Sequence, residues 1–234
     1  MTKFNNIEKG NIIVDMDDVL VFTTSLWFAN LYIHQNRYKS FCKKDIFPIL
    51  FDIDRDFMYP LTRPTYYFND WLLDESLSDE EKKDIGDLIF KEYTEDKTFY
   101  DRVDPTPLVG SLISLVKSKN FKIDKLYVVT RTVEGQEKTK LECIKRIFAP
   151  IINKVETIIV DLNEKKSDAI KDIKNIRLII DDELKNIYDY IDNTDCNGSI
   201  MMIPIAGYNI HFDKEYIKKS EEKNISVQYY NYTK

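Results

Sequence analysis

Histidine and cysteine are scarce in this 234-residue chain: there are two histidines, His34 and His211, and three widely spaced cysteines, Cys42, Cys143 and Cys196. Two histidines are too few for a histidine-based metal cluster. The cysteines are odd in number and form no C-x-x-C pair, which argues against a disulfide framework and a zinc site. Glycine and proline are also few, six and seven residues, against 43% hydrophobic, 13% aromatic and 32% charged residues. That balance excludes a disordered or low-complexity chain and specifies one large domain, or a core domain carrying a smaller insertion. No apolar run approaches the ~20 residues of a membrane helix, and no basic-then-apolar leader precedes Asn11, so no membrane partner and a cytoplasmic location are expected. Basic residues number 34 against 40 acidic, a net charge of −6. No broad basic surface is therefore available for a long nucleic acid, although a small anion in a locally cationic pocket is compatible. The serine-hydrolase elbow G-x-S-x-G, the P-loop and the dinucleotide fingerprint G-x-G-x-x-G are all missing, as is any internal repeat.

Short apolar runs are present in their place: Ile12 to Val14, Leu126 to Val129, Ile158 to Val160, Leu178 to Ile180 and Ile200 to Ile203. Each has the length of a strand buried on both faces, and together they predict five parallel strands. Helical patterns lie between the later ones, at Leu108 to Lys119 with Thr106 as N-cap and Pro107 at the first position, at Gln136 to Phe148, and at Ser167 to Ile173. Strand, helix, strand repeated predicts a Rossmann-like, doubly wound α/β sheet. About eighty residues separate the first strand from the resumed pattern near Thr106, too many for a bare loop. They predict an inserted, mostly helical cap over 22–105, leaving 1–21 and 106–234 as a discontinuous core. Thr24 to Ile33 is one helix of that cap, and Ser78 with Glu81 forms a capping box opening another. The tail holds a polar helix around Asp213 to Lys223 and an alternating end, Ile225 to Tyr230, readable as an edge strand or as nothing regular.

The triplet Asp15-Met16-Asp17 is weak when taken alone, because 25 aspartates in the chain yield about 2.6 Asp-x-Asp triplets by chance. Two more do occur, Asp52 to Asp54 and Asp54 to Asp56, and these read as a solvated turn segment. Position separates the first from the others. Asp15, Thr130 and the Asp181-Asp182 pair each follow directly on an apolar run, at the carboxyl edge of an expected strand, where open α/β sheets bind their ligands.

With these features on record, the chain resembles the haloacid dehalogenase-like phosphohydrolases. Their first motif is matched by Asp15-Met16-Asp17-Asp18-Val19-Leu20, their second by Thr130, their third by a lysine entering a helix at Lys166-Ser167-Asp168, and their fourth by Asp181-Asp182. The helical insertion after the first motif is similar to that of the deoxyribonucleotidase, or 5'-nucleotidase, branch. Two positions depart from the pattern. Asp18 stands where many members have glycine, which matters if φ is positive there, and Arg131 follows Thr130.

The resemblance implies a phosphomonoesterase in which Asp15 is the nucleophile and Asp17 the general acid and base. The residue types suit that chemistry, since a carboxylate can form an aspartyl-phosphate and a second carboxyl can protonate the leaving alcohol. Thr130, Arg131 and Lys166, with Lys165 as the adjacent alternative, are the expected phosphate-binding groups. Clustered carboxylates require a hard cation, so Mg²⁺ is the expected cofactor, with Asp15, Asp17 through its backbone carbonyl, Asp181 and Asp182 as its ligands. A capping role for Asp181-Asp182 at a helix near Glu183 is the plainer alternative. Among the insertion's aromatics, Trp27, Phe28, Tyr66, Tyr67, Phe68 and Trp71, the expected substrate contacts are Phe28 and Trp71, and the alternative is that they form the insertion's own core. The expected partner is a small phosphate ester such as a (deoxy)nucleoside monophosphate. Sugar phosphates, other small metabolites and 3'-phosphate ends are the competing substrates, and a phospho-acceptor or idle nucleotide-binding module is the non-enzyme alternative. A receiver-type phospho-acceptor would carry no eighty-residue insertion. The sequence leaves the oligomeric state open.

Overall fold

Runs of isoleucine, leucine, valine and methionine form the central strands of one six-stranded, all-parallel sheet in the order β3-β2-β1-β4-β5-β6. The structure, a computed structural model, describes residues 9–43, 72–204, 209 and 211–230. The strands are β1 (Gly10–Val14), β2 (Ile123–Thr132), β3 (Val155–Asp161), β4 (Ile176–Ile180), β5 (Ile200–Pro204) and β6 (Ser226–Tyr230). Five coincide with the apolar runs. The sixth is the alternating tail segment, which pairs with β5 along its whole length. It is an edge strand with half-buried side chains, so its pattern alternates and lacks the continuous run of a central strand.

Among the described residues the α-helices are α1 (Thr23–Ile33), α2 (Gln35–Tyr38), α3 (Asp79–Glu95), α4 (Phe99–Arg102), α5 (Pro107–Lys117), α6 (Glu137–Ile147), α7 (Lys166–Ile170), α8 (Leu184–Asn193) and α9 (Lys214–Glu222). In β1, Ile12 and Val14 enter one apolar cluster with Leu112 of α5 and Ile144 of α6, while Ile13 enters another with Ile187 and Tyr190 of α8. The sheet is thus covered on both faces, which is why the middle stretches of its central strands, Ile12 to Val14, Leu126 to Val129 and Leu178 to Ile180, are apolar at successive positions. The capping box at Ser78 and Glu81 opens α3 as expected. Thr106 precedes α5, but its hydroxyl donates to the Val19 carbonyl at 2.7 Å and makes no cap hydrogen bond.

Between β1 and α5 the chain builds α1 to α4 and a separate apolar cluster of Phe28, Leu31, Tyr38, Cys42, Leu72, Leu73 and Ile89. The segments entering and leaving it are pinned together. Phe22 N donates to Asp104 O at 3.0 Å, Thr106 N donates to Leu20 O at 2.8 Å, and Val21 bridges Pro105. Cys42, Cys143 and Cys196 are all buried and free. No described helix is long and apolar enough to cross a membrane.

Candidate active site

The strand order reverses at β1, whose neighbours β2 and β4 continue in opposite directions, so a crevice opens at the carboxyl ends of these three strands. Asp15 follows β1, Thr130 lies near the end of β2, and Asp181 and Asp182 follow β4. All four residues are buried. A cavity of about 250 Å³ opens above them, lined on the core side by Asp15, Asp17, Lys140, Lys166 and Asp182 and on the insertion side by Trp27, Phe90 and Tyr93.

Lys166 opens α7 with its side chain only 3% exposed, and its ammonium lies 2.7 Å from Asp15 Oδ1 and 3.0 Å from Asp181 Oδ2. Lys165 is exposed and pairs with Asp189 instead. Burial would lower the Lys166 pKa, but the two carboxylates hold it well above the usual lysine range. Asp15 is pushed up to about 7, chiefly by burial; the Lys166 ammonium opposes this while Asp181 and Asp17 add to it.

Asp17 is the most heavily hydrogen-bonded carboxylate of the group. Thr23 Oγ1 and Tyr100 OH both donate to Oδ1 at 2.7 Å, and Lys140 Nζ donates to Oδ2 at 2.5 Å. Burial alone would raise its pKa, but Lys140 and the hydroxyl donors outweigh burial and hold it below the usual carboxylate value. Lys140 also donates to the Thr130 hydroxyl at 3.1 Å and the Arg131 carbonyl at 2.5 Å, and sits over the Tyr100 ring. The sequence reading missed Lys140 and Tyr100. A signal for Lys140 does exist: with Cys143 and Ile144 it occupies spacing i, i+3, i+4 on the buried face of α6, where a lysine has no solvated role.

Asp15, Asp181 and Asp182 each bring a carboxylate oxygen to within 4.8 Å of the others. Three buried carboxylates beside one buried ammonium leave a net negative pocket of hard oxygen donors, a donor set that fits a small divalent cation. Asp181 Oδ1 is oriented by the Glu183 backbone N–H and by Asn186 Nδ2, each at 3.0 Å. Asp181 is therefore not the cap of α8, whose N-cap position is Glu183 with no side-chain cap hydrogen bond; it accepts from the Glu183 amide in the turn before the helix and faces the cluster.

Asp18 adopts φ +53°. An aspartate tolerates this left-handed conformation better than most residues, and here its carboxylate accepts from Thr24 N at 2.8 Å and from the Thr24 hydroxyl. The positive φ that other chains meet with glycine is compensated by a hydrogen bond to the first turn of α1. Arg131 lines the cavity with its guanidinium 3.3 Å from Glu183 Oε2 and 3.4 Å from the Glu164 carbonyl, so it stands at the rim, bound to core partners. Phe28 does not line the cavity. It is buried in the insertion's own cluster, and its neighbour Trp27, about 100° further round α1, forms the wall. Trp71, Tyr66, Tyr67 and Phe68 lie outside the described residues, as do Asp52, Asp54 and Asp56.

No family model and no curated protein matches the chain. Solved structures do. One from Clostridium difficile, carrying the provisional name phosphatase, is 15% identical over 96% of this chain and 95% of its own, with a TM-score of 0.54. Another from Lactobacillus plantarum, provisionally named a phosphoglycolate phosphatase, is 11% identical over 97% of both chains, with a TM-score of 0.52. At such identities the likeness is one of fold, and the parallel, doubly wound α/β core expected from the sequence is the core observed.

Proposed function

We propose that this protein is a Mg²⁺-dependent phosphomonoesterase of the haloacid dehalogenase-like, nucleotidase-related type, with the segment over 22–105 as its cap and nucleoside monophosphates as the favoured substrates. The observation that carries this is the grouping of Asp15, Lys166 and the Asp181-Asp182 pair at the strand-order reversal, with Asp17 two residues from the nucleophile.

In the proposed reaction an Asp15 oxygen attacks phosphorus and the ester P–O bond breaks, leaving an aspartyl-phosphate. Asp17 gives its proton to the departing alkoxide, then takes one from the water that hydrolyses the acyl phosphate and releases inorganic phosphate. The resting Asp17 is biased toward its ionised form. A bound phosphate dianion beside it favours protonation, as a like charge does. Lys166 holds Asp15 in place and, with Thr130, Arg131 and Lys140, supplies the donors and positive charge around the transferring group. Asp15, Asp181, Asp182 and the Asp17 carbonyl would hold Mg²⁺, which would neutralise charge on the phosphoryl oxygens.

The wall of Trp27, Phe90 and Tyr93 supports a leaving group with a flat face, as a nucleobase has, over a polyol. The test is phosphate release from nucleoside monophosphates, sugar phosphates and an aryl phosphate, with Mg²⁺ or EDTA and with Asp15→Asn as control. Mg²⁺-dependent, Asp15-dependent release that favours nucleotides is expected. Release confined to sugar phosphates or other small esters moves the substrate, and no release from folded protein overturns the enzyme reading.

A further inference from the structure

The two donors on Asp17 Oδ1 come from different ends of the insertion. Thr23 is the first residue of α1, where the chain leaves the core, and Tyr100 lies in α4, just before the chain returns at Asp104 to Thr106. Oδ2 is held by Lys140 of α6, which belongs to the core. One oxygen of the carboxylate therefore reports on the insertion and the other on the sheet.

Tyr100 is fully buried, and a phenol in such a place must use its hydroxyl. Its single proton goes to Asp17, because an ionised carboxylate only accepts. The short contact of 2.7 Å between the Tyr93 and Tyr100 hydroxyls is then donated by Tyr93. The chain of hydrogen bonds has one direction, Tyr93 to Tyr100 to Asp17. Tyr93 lies on α3 and lines the cavity, while its backbone carbonyl accepts from Gln136 Nε2 at 3.0 Å. Gln136 precedes α6, and its own carbonyl accepts from Lys140 N at 3.0 Å. Tyr93, one of the insertion residues that line the cavity, is thus tied to α4 through Tyr100 and to the start of α6, two of the three helices that supply donors to Asp17.

We infer that Tyr100 and Thr23 are positioning residues for Asp17: they clamp Oδ1 from the two ends of the insertion, and Tyr93 relays the seating of α3 to that clamp. The inference rests on the phosphomonoesterase reading and deepens it. Asp17 faces the leaving group only while both donors are in place, which requires the insertion to be seated on the core. The Asp17 side chain has other staggered rotamers, and the donors on Oδ2, Lys140 Nζ at 2.5 Å and Thr130 Oγ1 at 3.4 Å, hold only one of its two oxygens.

The test uses leaving-group dependence, because protonation matters for an alkoxide and little for a good aryl leaving group. Wild type, Tyr100→Phe and Thr23→Val are assayed with Mg²⁺ on a nucleoside or alkyl phosphate and on 4-nitrophenyl phosphate. Both variants keep their shape and lose one hydroxyl. Each is expected to lower kcat on the alkyl ester at least about tenfold and on the aryl ester by less than about threefold, with KM on either ester changed less than about twofold. The double variant Tyr93→Phe/Tyr100→Phe is expected to show the same selectivity as Tyr100→Phe, since the relay is already broken. Equal losses on both esters, or no loss in either variant, overturn the inference. Absence of any Asp15-dependent release from the wild type instead overturns the phosphomonoesterase reading, and the inference with it.

Discussion

Lys140 Nζ lies 2.5 Å from Asp17 Oδ2, two residues 123 positions apart in sequence, and the lysine side chain is only 3% exposed. Asp15 has a matching partner in Lys166 at 2.7 Å. Two adjacent carboxylates of one loop are therefore held by separate buried ammonium groups, from α6 and from α7.

Replacing Lys140 by Met keeps much of its length and removes its charge. Asp17 then loses the partner that holds it ionised, while Thr130 and the Arg131 carbonyl lose a donor. A loss of about 1–3 kcal/mol is expected from the unpaired acceptors, at the lower end because Asp17 faces the cavity. It is measured by urea unfolding. Phosphate release is expected to fall at least about a hundredfold, and a variant as active as wild type would exclude Lys140 from the site.

Asp15→Asn is expected to abolish release, by at least about a thousandfold, since an amide is not a competent nucleophile here. The same variant is the control for a stability measurement. Asp15 loses its proton near 3.8 as an ordinary carboxyl but near about 7 when folded, chiefly through burial. Between those values the native state binds more protons than the unfolded chain, so stability falls as pH rises through the window. In EDTA, the Tm of the wild type relative to Asp15→Asn is expected to drop between about pH 4 and pH 7. Asp17 shifts in the opposite direction, below its ordinary value, so its titration lies outside that window. A flat difference would contradict the burial of Asp15.

Under the proposed reading, Mg²⁺ would compete with that proton. Millimolar Mg²⁺ is expected to raise Tm more at pH 8 than at pH 5, following the usual ligand linkage. Asp181→Asn removes one donor of the cluster and is expected to weaken the effect at least about tenfold in apparent Kd. An identical Tm response in wild type and variant would place the ion elsewhere.

Asp18 separates backbone strain from capping. Asp18→Ala keeps a side chain at φ +53° and loses the hydrogen bond to Thr24 N, so a destabilisation of about 2 kcal/mol is expected. Asp18→Gly loses the same bond but relieves the strain, and the net change is expected to be within about 1 kcal/mol of zero. Equal losses in the two variants, read by chemical denaturation, would mean that the strain is negligible.

The sequence by itself determined the parallel sheet, because strands covered on both faces carry continuous apolar runs, and it located Asp15, Thr130 and Asp181 as the residues that follow such runs. It also marked the Ser78 capping box by its local spacing. The edge strand β6 was ambiguous, because half-buried alternation has the same signature in a strand and in an exposed tail. Lys166 was separated from Lys165 only by the structure, since both stand beside the start of one helix and burial alone distinguishes them. Phe28 and Trp27 exchanged places for the same reason: neighbours on a helix point in different directions, and only packing decides which one meets the cavity. Lys140 was marked in the sequence only by its place on the buried face of α6, and its partner, like the roles of Tyr100 and Thr23, was decided by tertiary structure. They meet Asp17 from three helices, and no local pattern encodes a contact whose partners are brought together only when those helices pack.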